Sequence, residues 1–170
     1  MGAMSPETIA LVERVARRLA KSDTTCTIAG PSTDAQIDAA EEQLGCEFPP
    51  TYRAFLRQFG AITMPTHVGV VHSFVGLSQA APDGKGVVER TLTGRTEKRL
   101  AADLIVVGMG ADYQEWFCLD LSDRNEDGEA PIVLFDARDN ARDQKFYETF
   151  GEMLDEVLHF IDEHIVDSRD

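Results

Sequence analysis

Carboxylates are what this chain has in excess: 30 Asp and Glu stand against 16 Lys and Arg, a formal net charge of −14 at pH 7. Asp112, Glu115 and Asp120 fall close together in sequence, and two carboxyl groups held near each other can divide acid and base work. In so acidic a chain such clusters arise from composition alone. The spacing therefore predicts a solvated or partner-facing surface ahead of a hydrolytic site.

Other chemistry fails on context. Asp123-x-Asn125-x-Asp127-Gly128 opens like a calcium loop, but the twelfth position, where a bidentate acid belongs, is Leu134. A tight turn explains these residue types better. Gly108-Met109-Gly110 follows an apolar run, yet the third glycine of a dinucleotide fingerprint is replaced by Tyr113 and a strand pattern follows. A bulge or hairpin corner is expected there. His159 and His164 lie about 140° apart around a helix, so they share no face as ligands. His67 and His72, five apart near an expected strand, point to opposite sides. Cys26, Cys46 and Cys118 are widely spaced and read as buried reduced thiols. No Gly-x-Ser-x-Gly elbow is present. No catalytic residue, metal or cofactor is expected.

The elements that must position these residues follow from periodicity. Ser5-Pro6-Glu7 starts a helix over residues 6–21, with Ile9, Val12, Ala16 and Leu19 on one face. Residues 23–31 read as a loop ending in Gly30-Pro31. Thr33-Asp34-Ala35-Gln36 is a capping box for a second helix that Gly45 ends. Pro49-Pro50 starts a third, with Tyr52, Phe55, Leu56 and Phe59 as its core stripe, closed by Gly60. Strands are expected at residues 68–77, 104–107, 115–121 and 132–135, with a shorter helix from about Val87 to Arg99 and a turn over 122–129. Phe146, Phe150, Met153, Leu154, Val157, Leu158 and Ile161 predict a closing helix over about 145–165. Strands this close pair most economically as antiparallel hairpins. The expected fold class is α+β, a mainly antiparallel sheet packed against helices.

At 170 residues, 43% hydrophobic and 27% charged, the chain suits one domain. Met1-Gly2-Ala3-Met4 reads as a tag remnant, leaving residues 5–170 as that domain. No apolar run nears the roughly 20 residues that cross a bilayer, and no secretory leader pattern is seen, so a cytoplasmic protein is expected. Charge is distributed unevenly. Residues 1–102 carry 11 basic and 11 acidic side chains, whereas residues 103–170 carry 5 basic and 19 acidic. Such a half repels nucleic acid and anionic membranes, leaving no expected role for either, and attracts a basic partner. Solubility alone is the plainer account of the same charge.

Two stretches carry a family resemblance. Thr33 to Gly60, with Ile37, Glu41, Leu44-Gly45, Phe48-Pro49-Pro50, Tyr52, Phe55-Leu56 and Phe59-Gly60, resembles the N-terminal signature of the SUKH superfamily, the Smi/Knr-like proteins. Leu104 to Gly108, Gly110-Ala111-Asp112 and Trp116 to Leu121 are similar to that family's central hairpin. With Ile132 to Asp136 and the closing helix, the likeness covers about residues 30–162. The helix over 5–22 precedes it as a private extension. Tyr113 and Gln114 stand where the family's turn is richer in glycine, so a pocket there would differ.

The resemblance implies an α+β SUKH fold and a bacterial immunity protein, which binds and neutralises a cognate toxin of a polymorphic or contact-dependent system, often a nuclease, without catalysis. Fungal relatives imply the alternative, a regulatory or scaffolding module that binds several cellular proteins. A nuclease carries a basic groove that an acidic surface can occupy. The expected interface is on the order of 1,600 Å², with aromatic anchors inside an acidic rim. The candidate partner-binding residues are Asp112, Tyr113, Glu115, Asp120, Asp123, Glu126, Asp127 and Glu129, on the hairpin and its turn.

Overall fold

The computed structural model describes residues 4–21, 26–65, 70–77 and 84–165. The tag-remnant reading of residues 1–3, His67, and parts of the expected loop over 23–31 and strand over 68–77 lie outside the described residues. The helices form where their caps and apolar stripes place them. Helix α1 spans Pro6–Lys21, α2 Asp34–Leu44, α3 Pro50–Gln58 and α4 Val87–Glu97. Both halves of the capping box at α2 are made: Thr33 Oγ1 accepts from Gln36 N at 3.2 Å, and Gln36 Oε1 from Thr33 N at 2.9 Å. Helix α3 lacks a cap of its own, since Pro49 precedes it.

Among the described residues seven strands form one sheet in sequential order, every neighbouring pair antiparallel. They are β1 Thr27–Ile28, β2 Ile62–Thr63, β3 Ser73–Phe74, β4 Leu104–Met109, β5 Glu115–Asp120, β6 Ile132–Asp136 and β7 Ala141–Tyr147. Helix α5, Phe150–His164, closes the chain. Helices packed on an antiparallel sheet make this an α+β fold.

Five elements, β1, β2, β3, β7 and α5, differ from the sequence reading. β1 falls within the residues read as a loop, and β2 between elements; two-residue strands carry no alternation to detect. Within the expected strand over 68–77 the described ladder is only Ser73–Phe74. The closing helix begins at Phe150, because residues 145–147 belong to β7. Phe146 falls in helical phase with Phe150, which makes the two elements read as one from sequence.

The core runs between the sheet and α3 and α5. Phe150 packs against Tyr52 and Phe55 with ring centroids 5.0 Å away in each case, and against Phe74 at 6.3 Å. Tyr52 is fully buried and donates its hydroxyl to Val75 O at 2.7 Å. The ladder between β4 and β5 shifts register between Val106 and Gly108, the bulge expected at this glycine. Beside it, Val106 N donates to Thr91 Oγ1 of α4 at 3.0 Å, so α4 satisfies a buried backbone donor at the irregularity.

Helix α1 packs along α5 through Leu11, Val12, Val15 and Leu19. Asp162 pins it, accepting from Arg14 Nη2 at 2.9 Å and Arg18 Nη1 at 2.8 Å. Hydrogen bonding from Arg14, then Arg18, against an opposing push from burial, holds the Asp162 carboxyl below its ordinary value. A depressed acid stabilises the fold above about pH 4, and that contribution fades as pH falls through the lowered value. Asp162→Asn is expected to cost about 1–2 kcal/mol at pH 7, the charged-hydrogen-bond scale reduced for solvent around half-exposed Arg14. Urea unfolding at several pH values checks this: the two curves converge on acidification, and a gap unchanged down to about pH 3 contradicts the linkage.

Candidate protein-interaction surface

The eight residues singled out from sequence are divided between the two ends of β5, a six-residue strand about 17 Å long. Asp112, Tyr113 and Glu115 lie at its beginning, with the β4–β5 turn. Asp120, Asp123, Glu126, Asp127 and Glu129 lie at or beyond its end.

At the far end, two of the candidates point inward. Asp120 is 2% exposed, bound to Ser122 Oγ at 2.5 Å and paired with Arg142 of β7. Burial pushes its carboxyl up, but hydrogen bonds from Ser122 and Arg142 outweigh that and hold it below the usual carboxylate value. That is the opposite of what a general acid at neutral pH needs. Glu129, 8% exposed, accepts from Thr51 N at 2.8 Å and Thr51 Oγ1 at 2.9 Å. It supplies in trans the N-terminal cap that α3 lacks. Both are structural acids, which corrects their assignment to a partner-facing surface. Asp123, Glu126 and Asp127 are exposed. The calcium-like loop is a turn: Asn125 Oδ1 accepts from Asp127 N and Glu129 N, and so faces its own backbone. Arg124 reaches across it to Gly128 O at 3.0 Å and to Glu47 O.

At the near end the turn is tightly specified. Tyr113 N donates to Gly110 O at 3.1 Å and Gln114 N to Asp112 Oδ1 at 3.0 Å. Tyr113 has φ +60°, a left-handed backbone that most side chains avoid. The residue is 43% exposed, and its ring stands edge-on to His72 at 5.6 Å and lies 5.9 Å below the Arg90 guanidinium. Its carbonyl accepts from the indole N–H of Trp116 at 2.9 Å. Val70, 61% exposed, adjoins the same turn, its carbonyl 3.7 Å from where a Cβ on Gly110 would lie.

Arg138, from the β6–β7 turn, sits among three carboxylates: Asp136 at 3.2 Å, Asp112 at 3.6 Å and Glu115 at 3.7 Å. The Arg138 backbone amide, then its side chain, hold the Asp136 carboxyl below its ordinary value. Behind the turn a cleft of about 300 Å³ opens between α4 and the hairpin, bounded by Lys85, Glu89, Arg90, Thr93, Met109 and Trp116. Gly94 lets Trp116 approach α4, for a Cβ there would lie 2.8 Å from the indole Cζ3.

Of the candidates named from sequence, Asp112, Tyr113 and Glu115 share this end of β5, and the structure sets Arg138, His72, Val70 and the α4 side of the cleft beside them. Asp136-x-Arg138 at a strand end was the available sign for that arginine; no local pattern ties α4 to a hairpin later in the chain.

Among the described residues no group of three or more His, Cys, Asp or Glu is placed to hold a metal ion, and no helix is long and apolar enough to cross a membrane. Cys118 is fully buried and its thiol is pushed up by burial, while half-buried Cys26 is pushed up to about 11 by the same cause. The arrangement leaves aromatic and charged side chains at the surface. In comparisons with known proteins, a family model described as SMI1 / KNR4 family (SUKH-1) matches residues 31–156, from just before α2 into α5. No curated protein matches the chain.

Proposed function

The chain belongs to the SMI1 / KNR4 family (SUKH-1), and from that premise we propose that it is an immunity protein, binding and neutralising a cognate bacterial toxin inside the cytoplasm by stoichiometric contact without catalysis. The observation that carries this reading is the charge asymmetry. Residues 103–170 hold 19 acidic and 5 basic side chains, and exposed Asp112, Asp123, Glu126 and Asp127 all lie within them. A toxin that acts on nucleic acid has to present a cationic groove, and an acidic protein competes for that groove with the phosphate backbone. Such complementarity also speeds encounter, which matters for an inhibitor that has to act before damage accumulates.

Co-expression with the product of the adjacent gene tests the proposal. Restored growth and a one-to-one complex that weakens with salt are expected. Failure to restore growth, with no basic partner co-purifying, overturns the proposal. Recovery of several cellular regulators in place of one toxin would favour the scaffolding role of the Smi/Knr type.

A further inference from the structure

We propose that the β4–β5 end of the sheet is the docking surface for that basic partner, and that it receives a segment in which a large apolar side chain is flanked by arginine. This deepens the immunity reading and rests on it. Tyr113 is the first support. Its backbone is left-handed, a conformation glycine adopts freely and a tyrosine only with strain. Turn stability alone would favour glycine at this position, and the tyrosine instead sets a ring at the surface, edge-on to His72 and beneath Arg90. Tyrosine is also among the residues that most often anchor interfaces.

The surroundings specify the occupant. The cleft of about 300 Å³ has Met109, 3% exposed, and Trp116 among its walls. The Trp116 indole N–H is already committed to the Tyr113 carbonyl, so the remaining indole surface is carbon. Val70 and Tyr113, two of the exposed large hydrophobics, adjoin the turn. This makes a place for one large apolar side chain.

The charged rim selects its neighbours. Asp112, Glu115 and Asp136 gather around one guanidinium, that of Arg138, with Asp112 and Glu115 at 3.6 and 3.7 Å, beyond hydrogen-bond length. A second guanidinium, that of Arg90, lies over the Tyr113 ring. Carboxylate pairing and stacking on an aromatic face, the two modes by which proteins recognise arginine, are thus both displayed here by the chain's own residues. A partner arginine competes with Arg138 for carboxylates that it holds loosely.

Trp116 is the only tryptophan in the chain, so its emission reports on the cleft. The test titrates the full chain with the peptide acetyl-Arg-Leu-Arg-amide, using acetyl-Glu-Leu-Glu-amide and acetyl-Arg-Gly-Arg-amide as controls. A saturable emission change at about millimolar peptide is expected for the first, none for the acidic control, and binding about tenfold weaker for the glycine control. Tyr113→Gly removes the ring while relieving the backbone. It is expected to melt no lower than the parent and to bind about tenfold more weakly. The pair Asp112→Asn with Glu115→Gln is expected to weaken binding similarly and keeps the test available if the glycine variant misfolds. No saturable change, or equal binding by all variants, overturns the proposal. A toxin still neutralised by the Tyr113→Gly protein removes this surface and leaves the immunity reading standing. Peptide binding without any rescue of growth by the parent protein does the reverse.

Discussion

Gly60→Ala is expected to abolish cooperative folding. Gly60 has φ +76°, and a Cβ there would lie 2.0 Å from the carbonyl oxygen of Gly30. The obstacle is backbone, which cannot swing aside as a long side chain can. Nor can that backbone retreat, because Gly30 N donates to Phe59 O at 2.8 Å, Ala29 N to Ala61 O at 3.0 Å and Ser32 N to Leu56 O at 2.9 Å. These bonds stitch the segment after β1 to the end of α3. On its other side, a Cβ on Gly76 would lie 1.8 Å from Gly60 O. Three chain segments therefore meet at van der Waals distance through glycines. Relief requires separating β1 from β2 and shifting the end of α3, whose Phe55 belongs to the central ring cluster. The left-handed backbone alone costs an alanine about 1–2 kcal/mol, and the steric displacement should carry the total past about 4–5 kcal/mol, where a domain's whole stability is at stake. Gly128→Ala separates the two contributions. It has φ +82°, but its nearest neighbour is Pro50 Cδ at 3.8 Å, so only the backbone cost of about 1–2 kcal/mol is expected. Urea unfolding followed by circular dichroism compares them, and equal midpoints would refute the close-approach account.

That glycine contact shows where sequence reading stops. Gly60 was legible as the close of α3, since a glycine after an apolar helical stripe has a local meaning. Its contact with Gly30 and Gly76 has none, because the three come together only when β1 and β3 both pair with β2. Local signals were read well: the capping box at Thr33, the Pro49-Pro50 start of α3, and the bulge at Gly108. The start of α5 is legible too. Thr149-x-x-Glu152 is a capping pattern, and Thr149 Oγ1 accepts from Glu152 N at 3.0 Å. Phe146 in helical phase outweighed it.

The candidate surface divides in the same way. Asp112, Tyr113 and Glu115 are adjacent in sequence and adjacent in the fold. Asp120 and Glu129 looked equivalent to them by charge and position in the same strand-turn region. What distinguishes them is a partner far along the chain, Arg142 for one and Thr51 for the other. An acid's burial is decided by what packs over it, and no local pattern encodes that. Composition identified a carboxylate-rich half; only the fold separates carboxylates that meet solvent from those that hold α3 and β7 in place.

Val15→Asp is expected to remove at least about 4 kcal/mol of stability and to expose the apolar face of α5. The family match begins at residue 31, so α1 lies wholly before it. A helix outside the matched region invites truncation, yet this one is part of the core. Val15 is 0% exposed, with Leu11, Val12 and Leu19 at 3%, 1% and 1%. On α5, Asp155 accepts from Thr8 Oγ1 at 2.8 Å and Asp162 from Arg14 and Arg18. These two acids are seven residues apart, two turns on one face. Leu158, buried at 0% exposure, lies between them on the same side. A carboxylate at position 15 would have to enter that seam without a partner or lift α1 away. Lifting it uncovers an apolar stripe on α5, which promotes association. Detachment therefore predicts a loss of stability accompanied by aggregation on size-exclusion chromatography. The sign with pH is fixed as well. Burial raises the pKa of the introduced carboxyl, so the variant recovers stability relative to the parent as pH falls toward about 4 and the group is neutralised. A Val15→Asp protein that stays monomeric and unfolds within about 1 kcal/mol of the parent at pH 7 would show α1 to be an appendage, leaving α5 covered by something other than this helix.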